Sequence, residues 1–218
     1  MSIVLYSYFR SSAAYRVRIA LNLKNIEYEI YPVHLLKNGG EQYREEYLAL
    51  NPQGLVPVLM LSNTVLTQSS AIIEYLEDAF PYPPLLPSNS IERAYVRSFV
   101  QVIACDIHPL NNLRVLSYLK NLPNDISQQA WQHHWLQEGF SALEQLLQKS
   151  DFHDRFCFGN TASLADVFLI PQVHNALRFN FEMNGFPLIN TIYKNCLQES
   201  CFINARPENQ PDAEPGKV

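Results

Sequence analysis

Charge is scarce in this chain of 218 residues: 17% are Asp, Glu, Lys or Arg, against 47% apolar. That balance belongs to a compact globule rather than a disordered segment. Sixteen basic and 21 acidic residues leave a net charge of −5, which excludes a nucleic-acid binder of the basic-surface kind. Long hydrophobic runs are missing too. The uncharged stretch Asn51 to Ile73 carries Asn, Gln, Ser, Thr and two prolines, so it does not suit a bilayer and no membrane partner is expected. Met1 to Tyr6 has neither a basic start nor a long apolar run, so no signal peptide is evident. Four cysteines (Cys105, Cys157, Cys196, Cys201) show no CxxC and no zinc spacing. A disulfide scaffold is therefore not expected, no metal site is assigned, and a reducing cytoplasmic setting is the expectation.

The first 80 residues alternate strand and helix patterns. Ile3 to Tyr6 is a short apolar run that reads as a buried strand. Ser11 and Ser12 suit the N-cap of a helix in which Ala13, Val17, Ala20, Leu21 and Lys24 recur at helical spacing. Ile26, Tyr28 and Ile30 alternate with polar neighbours at strand period. A second helix is expected over Glu41 to Leu50, ending at Asn51-Pro52. Val56 to Leu61, a Ser62-Asn63 turn and Val65 to Thr67 read as a hairpin, and Gln68-Ser69-Ser70 opens a third helix. Pro57 is tolerable at an edge or, as a cis bond, at the loop–strand junction. The order βαβα–ββα with that proline is the layout of a thioredoxin-like domain.

Residues 81–87, rich in proline, read as a stiff linker. Beyond it strand signals fade, and residues 88–218 read as an all-α second domain. Helices are expected at about 90–120 (interrupted near His108-Pro109), 127–149, 163–178 and 187–199. Ser163-Leu164-Ala165-Asp166 has the form of a capping box. Residues 204–218 read as a tail on the surface. The His133-His134 pair and its neighbours Trp131 and Trp135 lie in a strongly helical stretch without a third ligand, so packing roles are expected.

The chemistry concentrates near the start. Residues 1–26 carry Arg10, Arg16, Arg18 and Lys24 and no acidic residue. For Arg18 and Lys24 the plain reading is a solvated helix face. Arg10 lies in a loop beside a helix start, where unsatisfied N–H groups attract anions. A thioredoxin would carry its reactive cysteine at this junction, yet the residues are Ser11-Ser12-Ala13-Ala14, so protein-borne thiol–disulfide exchange is excluded. A serine can still donate a hydrogen bond to a thiolate that a ligand brings, or can simply cap the helix.

The stretch Ser11 to Leu21, SSAAYRVRIAL, resembles the S-S-C-x-W-R-V-R-I-A-L signature of zeta-class glutathione transferases, the maleylacetoacetate isomerase family. Asn51-Pro52 with Val56-Pro57, Gln68 to Glu77, Leu164-Ala165-Asp166, Pro171 to Phe179 and Gln210-Pro211-Asp212 resemble further family landmarks in the same order, over nearly the whole chain. The resemblance implies a glutathione transferase fold: an α/β thioredoxin-like N-terminal domain plus an all-α C-terminal domain. It also implies glutathione as cofactor, with its cysteinyl backbone on Val56 before Pro57, its γ-glutamyl carboxylate on Gln68 and Ser69, and its glycyl end near Gln42. Ser11, with Ser12, is implied as the thiolate holder and Arg16 as part of the binding signature. Cys105 to Asn112 resembles the family segment that faces the thiol, which implies that His108, Asn112 and Arg114 line the pocket. Arg178 matches a position that grips a dicarboxylate together with Arg10, as paired guanidiniums suit carboxylates. Ala13 and Tyr15 replace the pattern's cysteine and tryptophan; glutathione brings its own sulfur, so the chemistry does not need that cysteine. The implied activity is the cis–trans isomerisation of maleylacetoacetate to fumarylacetoacetate in tyrosine and phenylalanine breakdown, by a homodimer. Maleylpyruvate isomerase, a general transferase acting on haloacids, and a glutathione-binding protein without turnover are the alternatives.

Overall fold

The computed structural model describes residues 2–123, 127–150 and 154–214. It separates into two units, residues 1–84 with 198–218, and residues 85–197. The expectation that everything after residue 88 forms one domain is therefore corrected: the chain's last segment returns to the first unit.

In the first unit, β1 (Ile3–Ser7) pairs in parallel with β2 (Glu29–Pro32) and antiparallel with β3 (Val58–Leu61), which pairs antiparallel with β4 (Thr64–Thr67). The sheet order is β2-β1-β3-β4. A parallel β1–β2 pair needs a crossover, and α1 (Ser12–Leu23) supplies it. Strand period puts Ile3, Leu5 and Ser7 on one face, all buried, and Val4 and Tyr6 on the other, half-buried. On the second face Tyr6 meets Tyr47 of α2 (Glu45–Leu50), their ring centres 6.1 Å apart. α3 (Ser69–Ala79) and α9 (Ser200–Ala205) pack on α1. The Val56–Pro57 bond is cis, at the loop–strand junction where it was expected, and Tyr82–Pro83 is cis as well.

Four local expectations need correction. β2 starts only at Glu29, because the segment with Ile26 and Tyr28 has no partner strand. The helix expected over 41–50 is a 3-10 turn, Glu41–Tyr43, followed by the six-residue α2, with Arg44 extended between them. The tail expected on the surface over 204–218 is partly built into the fold: Ala205, Pro207 and Gln210 are buried, while residues 215–218 lie outside the described residues. Arg18 and Lys24, expected on a solvated face, are 0% and 5% exposed.

Both buried cations are fully engaged. Arg18 donates to Ala205 O (2.9 Å), Ser7 Oγ (3.0 Å) and Phe9 O (3.1 Å). Burial pulls its pKa down to about 10, against the opposing pull of Tyr28, Tyr15, Asp212 and Glu208, so the guanidinium stays charged near neutrality. Lys24 Nζ bonds Glu77 Oε2 (2.8 Å), Phe80 O (2.7 Å) and Pro83 O (3.1 Å). It thereby ties the end of α1 to the end of α3 and the chain beyond it.

The second unit is helical: α4 (Ser90–Gln101), α5 (Leu113–Lys120), α6 (Gln128–Lys149), α7 (Leu164–Arg178) and α8 (Pro187–Cys196). The expected interruption before Pro109 is a π-helical turn, Val102–Ile107, leading into a 3-10 turn, Pro109–Asn111. Gly139 of α6 permits that turn's approach, since a Cβ there would fall inside the Ile107 side chain. The capping box forms: Asp166 Oδ2 accepts from Ser163 N (2.8 Å) and Oγ (2.9 Å), and Oδ1 accepts from Cys157 N (2.9 Å). Burial raises the Asp166 pKa, and these hydrogen bonds oppose the rise. The end of the expected linker is packed as well as stiff. Leu85 and Leu86 are buried, and Leu85 O accepts from Leu164 N at 2.7 Å.

Removing one member of a buried ion pair strands the other charge, which costs about 3–5 kcal/mol, whereas replacing both by apolar groups is close to neutral. Lys24→Ala should therefore lower stability by about 3–5 kcal/mol in urea unfolding, and Lys24→Met with Glu77→Leu should recover most of it. A loss below about 1 kcal/mol in Lys24→Ala would place the pair with weak surface bridges.

Candidate functional site

The chain leaves β1 at Ser7, passes Tyr8 and Phe9, and enters α1 through Arg10 and Ser11. Ser11 is the N-cap, its backbone extended and its Oγ accepting from Ala14 N at 3.2 Å. A serine hydroxyl has two lone pairs and one hydrogen, so capping leaves the proton free to donate elsewhere. Ser11 is half-buried and Ser12 only 7% exposed, which favours Ser11 as the hydroxyl open to a ligand. The first turn of α1 holds no acidic residue, so none of its own side chains offsets the positive end of the helix. Arg10 is half-buried; its Nε and Nη2 donate to Tyr8 Oη at 3.1 and 2.8 Å, and the guanidinium lies 5.4 Å from the Phe9 ring centre. Sequence reasoning missed Tyr8, although a tyrosine two residues before a loop arginine was the available signal.

The second helix start belongs to α3. Gln68, its N-cap, has a φ of +69° and makes no side-chain cap. The first N–H groups of this 11-residue helix are therefore not capped by Gln68's side chain, and a carboxylate could accept from them. Gln68 Nε2 donates to Gln53 Oε1 at 2.5 Å, a neighbour the sequence did not single out. Ser69 is buried and accepts from Arg16 Nη1 at 3.4 Å. Arg16, 2% exposed, is thus a tie between α1 and the start of α3.

Ahead of β3 the sheet leaves backbone unused. The β3 ladder begins at Val58, opposite Tyr6 and Thr67, so Val56 precedes it and its peptide groups lie outside the pairing. An extended peptide could bond there as an added strand does. Gln42 is buried; its Nε2 donates to Leu35 O at 3.3 Å, while Oε1 has no partner among the described residues. A buried acceptor without a donor is costly, and a ligand N–H would satisfy it. Ser11, Gln42, Val56, Gln68 and Ser69 thus offer hydroxyl, amide, backbone and helix-terminal groups of the kinds an anionic tripeptide needs.

A cavity of 630 Å³, lined by Tyr6, Tyr31, Tyr47, Arg44 and Glu46 among others, lies elsewhere on this unit. None of the sequence-predicted site residues lines it.

In the second unit His108 is half-buried and closes the π-helical turn. Asn112 caps α5, its Oδ1 accepting from Arg114 N at 3.1 Å. Arg114 is exposed. Arg178, in the last turn of α7, lies over the Phe179 ring at 4.6 Å. The histidine–tryptophan group packs as expected: Trp131 Nε1 donates to Leu110 O at 2.8 Å, and a His133 ring nitrogen lies 3.0 Å from Phe179 O. Among the described residues no group of three His, Cys, Asp or Glu could hold a metal ion, and the four cysteines are free thiols.

A β1–α1 junction without cysteine but with a capping serine, an open α3 start and a cis proline before β3 define a glutathione transferase fold. Residues 10–79 match the family model of the glutathione S-transferase N-terminal domain. A probable maleylacetoacetate isomerase of Vibrio cholerae is 47% identical over 98% of this chain and 99% of its own. The solved holo structure of a maleylpyruvate isomerase, described as a bacterial zeta-class glutathione S-transferase, superposes with a TM-score of 0.93. It shares 42% identity, covering 97% of this chain and all of that one. A maleylacetoacetate isomerase from Methylobacterium extorquens, solved with malonate and glutathione bound, gives 0.90 at 38% identity, over 97% of this chain and 99% of its own. The chain belongs to the maleylacetoacetate isomerase family of zeta-class glutathione transferases.

Proposed function

We propose that this protein is a glutathione-dependent cis–trans isomerase that converts maleylacetoacetate to fumarylacetoacetate in tyrosine and phenylalanine breakdown. The observation that carries the reading is the junction at Arg10 and Ser11: a cation and a hydroxyl at the start of a helix whose first turn holds no acidic residue. Bound glutathione supplies the thiolate, which adds reversibly to the cis alkene so that the bond can rotate before the thiol departs.

The chain's own residues would hold and tune that thiol. Ser11 Oγ donates to the sulfur while accepting from Ala14 N, and the α1 N-terminus adds its dipole. Ser12 stands behind it in the first turn. A free thiol titrates near ~8.5. A shift of about two units needs roughly 2.7 kcal/mol, which one charged hydrogen bond plus a helix terminus can supply. The γ-glutamyl carboxylate meets the open start of α3 at Gln68 and Ser69. Val56, ahead of Pro57, pairs with the cysteinyl backbone, and Gln42 Oε1 accepts from the glycyl end. Arg16 supports this arrangement through Ser69. Arg10, steered by Tyr8, takes a substrate carboxylate; His108, Asn112, Arg114 and Arg178 of the second unit are the further substrate contacts that the family resemblance implies, with His108 and Asn112 also near glutathione. Maleylpyruvate is the second reading, favoured by the 0.93 superposition on an isomerase for that substrate; kcat/KM measured on both substrates decides between them.

Titration of thiolate absorbance in the glutathione complex tests Ser11. Ser11→Ala should raise the bound pKa by about one to two units. Because the thiolate is lost as pH falls through that pKa, the acid limb of kcat/KM should move upward equally. An unchanged pKa in Ser11→Ala beside a raised one in Ser12→Ala would transfer the role to Ser12.

Arg10→Met and Arg178→Met should each lose about 1.5–3 kcal/mol of transition-state stabilisation, roughly 10- to 150-fold in kcat/KM. Glutathione affinity by calorimetry should change little. Lysine should rescue only in part, lacking the planar two-point contact. Parallel loss of glutathione affinity would move these arginines to the cofactor site or to folding.

A homodimer with isologous contacts and a cytoplasmic location complete the proposal. Light scattering should give twice the 25.1 kDa chain mass, and a monomer at micromolar concentration would refute the dimer.

A further inference from the structure

Phe9 is the residue before Arg10 and Ser11, and it has no exposed surface. β1 ends at Ser7, so no strand holds the Phe9 peptide. Two side chains do. Phe9 N donates to Asp212 Oδ2 at 2.9 Å, across 203 residues of sequence. Phe9 O accepts from Arg18 Nη2 at 3.1 Å, and the Nε of the same guanidinium reaches Ala205 O. The loop is thus fixed on one side by α1 and on the other by the far end of the chain.

That far end is itself built to stay in place. Gln210 is 7% exposed, and its Nε2 donates to Asn204 O (2.9 Å) and Arg206 O (2.8 Å). Ala213 N returns to Gln210 O at 3.0 Å, and Ala213 packs on the cluster that holds Tyr8, Phe9 and Val56. Glu214 pairs with Lys37 at 2.5 Å and lies 3.3 Å from His34 Nε2. The His34 ring edges onto Tyr8, the residue that accepts from Arg10. Asp212 Oδ1 is buried without a hydrogen-bond partner among the described residues. Asp212 is half-buried, and its Oδ2 accepts from the Phe9 N–H, so the carboxylate is turned toward the loop.

We propose that Asp212 is a positioning residue of the glutathione site: through the Phe9 N–H it fixes the loop that aims the Ser11 hydroxyl and the Arg10 guanidinium. The inference rests on the roles given above to Ser11 and Arg10. Reacting groups must be held closely, and about 1 Å of misplacement can cost about a hundredfold in rate. The acceptor oxygen is what counts, so an amide should replace the carboxylate.

Full-length Asp212→Ala, Asp212→Asn and Asp212→Glu test this, with bound-thiol pKa, kcat and KM, and amide exchange at Phe9 to Ser11 as readouts. In Asp212→Ala, exchange should quicken about five- to tenfold, kcat should fall about tenfold and the bound-thiol pKa should rise, while the KM for glutathione moves less than kcat. Asp212→Asn keeps an oxygen and should stay near wild type; Asp212→Glu, with the oxygen displaced by one methylene, should fall between. Should Asp212→Ala not fold, the Asn and Glu variants carry the same comparison. A lowered melting temperature with unchanged kcat, thiol pKa and exchange would make Asp212 a stability residue only and overturn the proposal, as would an Asn variant as impaired as the Ala one. A wild type that does not acidify bound glutathione would instead remove the Ser11 reading. Exchange at Phe9 would then judge the loop constraint alone, and unchanged exchange in Asp212→Ala would overturn it.

Discussion

A guanidinium with no exposed surface organises the first unit. Arg18 sits within α1 and bonds the end of β1 at Ser7, the loop at Phe9 and the last turn of α9 at Ala205. The start of the chain, at Ser7 and Phe9, and the distant Ala205 therefore meet on one charge. The desolvation of that charge shows in its pKa, lowered to about 10, and three acceptors compensate it. Lys24 does similar work two turns later, on Glu77 and two carbonyls. Buried cations of this kind specify a geometry more than they stabilise it, because an apolar replacement could pack as well. Here the geometry specified is the exit from β1 into α1.

That exit matters because the proposed site is assembled from ends rather than from element interiors. The start of α1 offers Ser11, the start of α3 offers uncapped N–H groups, and the approach to β3 offers Val56 before its ladder begins. Each position has polar backbone the fold itself leaves unpaired or only partly paired, and a peptide with carboxylate ends and a thiol supplies complementary groups. The sheet and its helices hold these ends at fixed separation, so the ligand pays little to organise them. The first turn of α1 itself carries no acidic side chain to oppose a thiolate.

Much of this was legible in the sequence for identifiable reasons. Short apolar runs and helical spacing gave β1, α1, the β3–β4 hairpin and α3, and the S-x-x-D form gave the Asp166 capping box. Nearly every helix of the second unit followed from period alone. The misreadings share one cause. Arg18 and Lys24 look like surface charges by residue type, and only the return of the last segment and the end of α3 buries them. Residues 204–214 look like a loose tail by composition, yet Arg18 and Phe9 give that segment partners that local pattern cannot reveal. β2 lost its first residues because a strand needs a neighbour as well as a period. For the proposed site, position alone pointed to Arg10 beside a helix start and left Ser11 as cap or donor, and the α3 start came with the family resemblance, whereas Tyr8 and Gln53 emerged only once side chains were placed.

The central claim is that glutathione serves this protein as a cofactor which is regenerated, with the chain holding its thiol at Ser11. Isomerisation of maleylacetoacetate, followed together with total free thiol over many turnovers, tests it most directly. The account predicts a rate that saturates with glutathione, vanishes without it, and leaves the thiol concentration constant. Turnover without glutathione, or consumption of one thiol for each substrate converted, would contradict it.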